Sequence, residues 1–404
     1  MTANANEAPA ERWFLPGVRA IGAASLLSDL GHEVPTSLLP SFLTATLGAP
    51  AAALGVIEGI ADGGAGLARL AGGALADDPE RRRRTAIGGY VTTAVCSSAI
   101  GLATAAWQVG VLRTMAWAAR GIRGPARNAL LADIAPAAAY GKAYGFERAM
   151  DNLGAIGGPL LALALVAAVG IRSAILISFV PGAMAALAIV AAVRAAPRHE
   201  ARTHRPLRLR VRPLLHGRLR PLLFGIAAFE LGNVAATLLI LRATDLLDTD
   251  HAHSTAVKVA LVLYAGYNLA ATTVAVPGGH LADRRGSVVV LCLGAAAFAG
   301  SFAGLAVAGS SIVVLALLFA CAGVGIGLGE TAQSAAIAAF APAEFRGSAF
   351  GVVAGIQSFA NLAASAAAGL LWTVVSPEAA FAYLAGWMTL SFLFFAAAGS
   401  PRSG

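Results

Sequence analysis

Apolar residues run along this chain in long unbroken blocks, each closed by proline, glycine or charge. Twelve can be read, at approximately 14–46, 51–75, 85–105, 108–132, 143–168, 172–193, 220–246, 257–277, 288–308, 311–337, 348–373 and 379–398. A helix crosses a bilayer with about 20 apolar residues, and these blocks are continuous rather than alternating, which predicts helices and argues against a barrel. One long polar interruption, rich in Arg and Pro, separates six blocks from six. The predicted organisation is an N-terminal six-helix half over 1–193, a linker over 194–219 and a C-terminal six-helix half over 220–404.

The two halves echo each other. Gly73-Ala-Leu-Ala-Asp77 recurs 206 residues later as Gly279-His-Leu-Ala-Asp283. At the same offset, Ala135-Pro-Ala-Ala-Ala-Tyr-Gly-Lys-Ala-Tyr-Gly145 recurs as Ala341-Pro-Ala-Glu-Phe-Arg-Gly-Ser-Ala-Phe-Gly351. Two matches at one offset, each in a connector of equal rank, predict homologous halves. Because each half has an even number of spans, the halves run parallel.

Composition agrees with a lipid environment. Of 404 residues, 58% are hydrophobic and 12% charged, and mean hydropathy is +0.73. Ordinary soluble domains carry roughly a quarter charged residues. The net charge of +8 would suggest a polyanion partner in a soluble protein, but its distribution follows topology. Arg81–Arg84, the arginines between Arg194 and Arg220, and Arg284-Arg285 fall in alternate connectors, while the opposite connectors are nearly free of Lys and Arg. Nucleic acid is therefore not an expected partner, and both termini are expected in the cytoplasm, with the chain in the inner (plasma) membrane. Cys96, Cys292 and Cys321 lie in apolar blocks without metal-ligand spacing, so neither a metal nor a cofactor is expected.

These motifs resemble the major facilitator superfamily. Gly279-x-x-x-Asp283-Arg284-Arg285-Gly286 fits that family's motif between its second and third helices. The first copy departs from it, with Asp78 where a base is usual and Glu80 where the second Gly is usual. Gly154-Ala-Ile-Gly-Gly158-Pro159 is similar to the glycine-proline motif of proton-coupled exporters, and Trp117 stands where the fourth helix usually has an Arg. Ser28-Asp29-x-x-x-Glu33, Ile57-Glu58-x-x-x-Asp62, Gly121-x-Arg123-x-x-x-Arg127 and Asp151-x-x-Gly154 resemble a bacterial permease branch of the same superfamily. The resemblance implies twelve helices around a central cavity lined by the first, fourth, seventh and tenth.

Charges inside the spans narrow the site. An ionised group at mid-bilayer costs at least ~2.5–3.5 kcal/mol and so faces a cavity, pairs or titrates. Asp29, Glu33, Arg120, Glu230 and Glu330 fall on the four helices the resemblance assigns to the path. Asp29 and Glu33 share one helix face, and such a carboxylate pair can take up and release a proton. Glu58 and Asp62 repeat the spacing. Arg113, Arg120, Arg123 and Arg127 form one stripe, which either neutralises these acids in a buried network or attracts an anionic substrate. The network is favoured, with Arg120 the best single contact for substrate or coupling ion.

Gating residues follow from the resemblance: Gly73 and Gly279 in the motif, Asp77 and Asp283 against neighbouring helix N-termini, and Arg81 or Arg82, with Arg284 in the second copy, as bases. Arg81 or Arg82 would reach Asp133. Asp151, Gly154, Gly158 and Pro159 shape the fifth span. The expected function is a monomeric secondary transporter working by alternating access, exporting a small organic compound against a proton or other cation. Uptake of a metabolite or siderophore-like compound is the alternative. A divalent-metal carrier using Asp29, His32 and Glu33 and an intramembrane enzyme are weaker readings, since no nucleophile–base or metal-cluster motif lies in a span.

Overall fold

The computed structural model describes residues 13–197, 209, 211–215, 219–234, 236–250 and 252–399. Residues 1–12 and 400–404, which bear on the termini, and most of the predicted linker lie outside them. The described residues form thirteen α-helices and no strand: α1 Pro16–Ser41, α2 Ala51–Ala76, α3 Pro79–Ala99, α4 Ala106–Ile134, α5 Tyr140–Ile177, α6 Phe179–Ala195, α7 Leu219–Gly232, α8 Ala236–Leu247, α9 His253–Arg285, α10 Ser287–Val307, α11 Ile312–Phe340, α12 Arg346–Val374 and α13 Pro377–Gly399.

Thirteen helices account for twelve crossings. The block read as one span over 220–246 is broken between α7 and α8, after Gly232-Asn233. Glycine weakens a helix and asparagine favours its end, and the carbonyl of Asn233 accepts the Asn361 side-chain amide at 2.8 Å. The fifth and sixth blocks meet inside α5, where Gly170 turns the chain at φ 77°. Pro40 near the end of α1 is followed by a wider π-type turn over Phe42–Thr46, since proline removes a backbone donor from the helical ladder.

Among the described residues, seven stretches are long and apolar enough on composition alone to cross a membrane, and the longest, Ala137–Ala195, holds two spans. The helices α1, α2 and α4 are absent from that set. They are also the helices that carry Asp29, Glu33, Glu58, Asp62 and the arginine stripe.

The chain folds as two compact units. One comprises Met1–Val211 with Ala341–Gly355, the other Arg212–Phe340 with Ile356–Gly404. In the first, α4 packs on α2 and α3, α6 on α1 and α3, and α1 on α5. In the second, α11 packs on α9 and α10, and α13 on α7 and α10. Four of these pairings correspond under the 206-residue offset, so the repeat is present in packing as well as in motif.

The repeats share a further device. In the first unit Arg172 donates to the carbonyls of Gly101 (3.0 Å) and Ala103 (2.8 Å) beyond the end of α3. In the second, Arg242, from a different helix, donates to the carbonyls of Leu305 (3.1 Å) and Ala306 (3.3 Å) at the end of α10. Its other terminal nitrogen pairs with Glu378 at 3.0 Å. Helix C-termini leave carbonyls without partners, and here a guanidinium satisfies them, half-buried at Arg172 and buried at Arg242. Arg242→Met is expected to cost about 1–3 kcal/mol and to show as a lower thermal unfolding midpoint; an unchanged midpoint would mean water serves these carbonyls equally well.

Candidate functional site

The arginine stripe on α4 is paired almost one by one. Arg113 Nη2 lies 3.0 Å from Glu58 Oε1 of α2, and its Nη1 donates to Thr36 of α1 at 2.9 Å. Arg120 grips Asp29 in a fork, with Nη1 2.9 Å from Oδ1 and Nη2 donating to Oδ2 at 3.2 Å. Arg127 lies 2.8 Å from Glu147 and 3.4 Å from Asp151, both on α5. Ser25 joins this group, accepting from Arg127 at 2.8 Å and donating to Glu147 at 2.7 Å. Buried ions persist only when paired and hydrogen-bonded, and this ladder meets that requirement.

Two members of the stripe's surroundings are bound otherwise. Asp62 accepts from Trp117 Nε1 at 2.8 Å, and the Arg113 guanidinium stacks 3.4 Å from the Trp117 ring centroid. Trp117 thus links an acid and a base of the ladder. Arg123 meets no carboxylate among the described residues. Its Nη2 donates to Ser28 at 2.6 Å, and its guanidinium lies 3.8 Å from the Tyr90 ring centroid.

His32 sits between the two acids of α1, its Nδ1 3.6 Å from Asp29 and its Nε2 3.4 Å from Glu33. An Arg120 terminal nitrogen lies 2.7 and 2.8 Å from the two ring nitrogens. A cation already fills the space in front of the imidazole, so this geometry does not suit His32 to a divalent metal.

The glycine-proline motif touches the same acids. A Cβ on Gly154 would stand 2.9 Å from Asp29 Cβ and 2.5 Å from the Leu26 carbonyl. On Gly158 it would stand 2.3 Å from Glu33 Cβ. The motif is therefore the surface of α5 against which the acidic face of α1 lies. Pro159 follows within the helix.

In the second unit Glu230, 3% exposed, closes the end of α7. Its carboxylate accepts from Asn233 Nδ2 at 3.1 Å and Gln333 Nε2 at 3.4 Å, and Gln357 donates to Gln333 Oε1 at 3.2 Å. Glu330 lies on α11, three residues before Gln333.

At the other set of residues, Asp77 accepts from the backbone N–H of Ser348 at 2.7 Å and from its hydroxyl. Ser348 lies in the first turn of α12, where free N–H groups favour an anion. Gly73 permits this approach, since a Cβ there would fall 2.7 Å from Gly351 Cα. Arg82 pairs with Asp133 and donates Nε to the Ala76 carbonyl at 2.7 Å; Arg81 instead gives its backbone N–H to Asp78 at 3.1 Å. Asp78 also accepts from Glu80 N at 2.9 Å, so an Asp-Pro cap starts α3 where the motif would use a glycine. The second copy keeps its glycine, and Gly286 adopts φ 91° between α9 and α10. Gly279, Asp283 and Arg284 lie near the end of α9.

The sequence-family model of the Major Facilitator Superfamily matches residues 21–262 and 246–403. The chain belongs to the Major Facilitator Superfamily. It is 26% identical over 379 residues to an uncharacterized MFS-type transporter of Methanocaldococcus jannaschii, covering 92% of each chain. Among solved structures, a bacterial homologue of the iron transporter ferroportin in its outward-facing state superposes with a TM-score of 0.77 at 15% identity, over 96% of this chain and 100% of that one. The E. coli fucose:proton symporter superposes with a TM-score of 0.73 at 14% identity, again over 96% and 100%. As a member of the superfamily the chain is an integral multi-pass membrane transporter for small molecules, not an enzyme.

Glu147, Tyr90, Arg172 and Arg242 were not singled out from the sequence, and Trp117 stood out there only as a departure from the helix-four motif. Glu147 had a signal, lying four residues before Asp151 on one helix face. The two capping arginines had none, because their role depends on which carbonyls the ends of α3 and α10 leave free.

Proposed function

We infer that this transporter is secondary active, works by alternating access as a monomer in the inner membrane with both termini cytoplasmic, and exports a small organic compound in exchange for protons. The observation that carries the coupling is Glu230. It is deeply buried, and among the described residues its hydrogen-bond partners are amides and none is a cation. Such a carboxyl group can exchange a proton without first breaking an ion pair. Asp29 differs, because loading it requires Arg120 to let go, which suits the pair to respond to substrate. The glycine-proline contact of α5 with α1 favours export over uptake, since that motif is the one associated with proton-coupled exporters. Asp77 at the start of α12 and Arg82 on Asp133 would serve as ties that open and close during the cycle.

Everted membrane vesicles energised by respiration provide the test, with ethidium and a panel of other small organic compounds as probes. Compound-dependent collapse of the pH gradient is expected. Glu230→Gln is expected to reduce gradient-driven accumulation at least about tenfold, worth about 1.4 kcal/mol of coupling, while substrate counterflow without a gradient persists. Gradient-independent transport, or unchanged coupling in Glu230→Gln, would remove the proton. Compound movement in the opposite sense would establish uptake.

A further inference from the structure

Arg123 carries the least settled charge of the arginine stripe. It is 4% exposed, and a buried guanidinium is costly unless its charge and its donors are met. Nη2 donates to the Ser28 hydroxyl at 2.6 Å, and the Tyr90 ring centroid lies 3.8 Å from the guanidinium. Among the described residues, however, no carboxylate pairs with it, and Nη1 has no partner. Buried donors are seldom left this way, and each such group calls for an explanation. Gly89 brings α3 against its stem, because a Cβ there would stand 2.5 Å from Arg123 Cβ.

The register of α1 against α4 sets an acid beside it. Down the stripe, Arg113 reaches Thr36, Arg120 reaches Asp29, Arg123 reaches Ser28 and Arg127 reaches Ser25. Asp29 follows Ser28 directly, so it sits about 1.5 Å of helix rise from the level Arg123 already touches. It is also the carboxylate whose charge Arg123 feels most. Arg120 and Arg123 are three residues apart, about 4.5 Å along the axis, a difference that two long side chains can span by rotation. The two differ in what release would cost. The Arg120 side chain is 29% exposed and that of Asp29 is 5% exposed. On parting, the guanidinium of Arg120 can meet water, whereas the acid it leaves cannot.

We propose that Arg123 is a positioning residue for the transport cycle, the second seat of Asp29: when Arg120 lets go of the carboxylate, Arg123 takes it. This rests on the reading above in which the Asp29–Arg120 pair opens in response to substrate. The spare Nη1 is then a donor held ready for Asp29, and the handover keeps a buried acid from ever standing unpaired. Arg120, the more exposed of the two, is the one set free.

A double-mutant cycle read by thermal unfolding of the purified full chain in detergent tests this. Arg120→Gln alone is expected to lower Tm by less than half the fall seen in Asp29→Asn, because Arg123 remains to hold the acid. Arg123→Met keeps the apolar stem without the charge. Combined with Arg120→Gln it should lower Tm by about 3 °C or more beyond the sum of the two single falls. That excess should vanish when Asp29→Asn is also present, and Arg123→Lys in place of Arg123→Met should remove at least half of it. Simple additivity, an excess that persists in Asp29→Asn, or a Lys variant no better than Met would overturn the proposal and leave Arg123 to Ser28 and Tyr90. Should Arg120→Gln with Arg123→Met give no folded protein, adding Asp29→Asn decides: regained folding supports the handover and continued failure overturns it. None of these readouts involves transport, so the handover can fail while the export reading stands, and the vesicle assay can fail while Arg123 still holds Asp29.

Discussion

Asp29→Asn is expected to destabilise the chain by about 3 kcal/mol and to abolish transport. Removing one partner of a buried ion pair typically costs about 3–5 kcal/mol, because the other charge is left behind. Asn keeps the shape of Asp but offers Arg120 one neutral oxygen in place of two charged ones. The Asp29 side chain is 5% exposed and that of Arg120 is 29% exposed, so water can reach part of the orphaned guanidinium. That places the cost at the low end of the range. Adding Arg120→Gln to Asp29→Asn should recover most of the stability, since the pair is then removed whole, but it should not recover transport. Thermal unfolding in detergent and counterflow in proteoliposomes separate the two effects. If Asp29→Asn is as stable as the parent, the fork is not isolated from solvent; if it still carries gradient-driven flux, Asp29 has no part in coupling.

What the sequence could show followed from what lipid demands. Twelve crossings were legible because each must supply about 20 apolar residues, and the repeat was legible because its two motifs sit at one offset. The break between α7 and α8 was not, since the apolar block runs through it and only Gly232-Asn233 marks the place. The arginine stripe was visible from spacing alone, and a buried network was the favoured reading. Its individual partners were not visible, because each depends on which helices touch. Arg127 finds Glu147 through the packing of α5, and Arg123 finds a tyrosine ring rather than an acid. The departure at Asp78 and Glu80 illustrates the same limit. In sequence it is a damaged glycine motif, whereas in the fold it is a helix cap that performs the turn by other means.

The glycines of α5 supply a graded test of how closely the acids depend on that helix. At an unobstructed helical position Gly→Ala gains roughly 0.5–1 kcal/mol, and Gly88, with nothing near its Cβ position, should show that gain. Gly157→Ala would meet only the Leu30 Cδ1 at 3.0 Å, the free end of a flexible side chain, so a result near neutral is expected. Gly154→Ala meets the Leu26 carbonyl and Asp29 Cβ, and Gly158→Ala meets Glu33 Cβ and, at 3.2 Å, Glu33 Cγ. Neither backbone nor Cβ can turn aside, so α1 itself must move. Overpacking of this kind costs about 1–3 kcal/mol. The transport loss should exceed what that destabilisation alone would cause, because the displaced residues include Asp29, whose fork to Arg120 is set by the separation of α1 and α4. Unfolding midpoints should therefore fall in the order Gly88→Ala, Gly157→Ala, then Gly154→Ala and Gly158→Ala, with flux per folded molecule falling only in the last two. Normal flux in a folded Gly158→Ala protein would show that α1 can shift against α5 without disturbing the acids, and would separate the glycine-proline motif from the coupling chemistry.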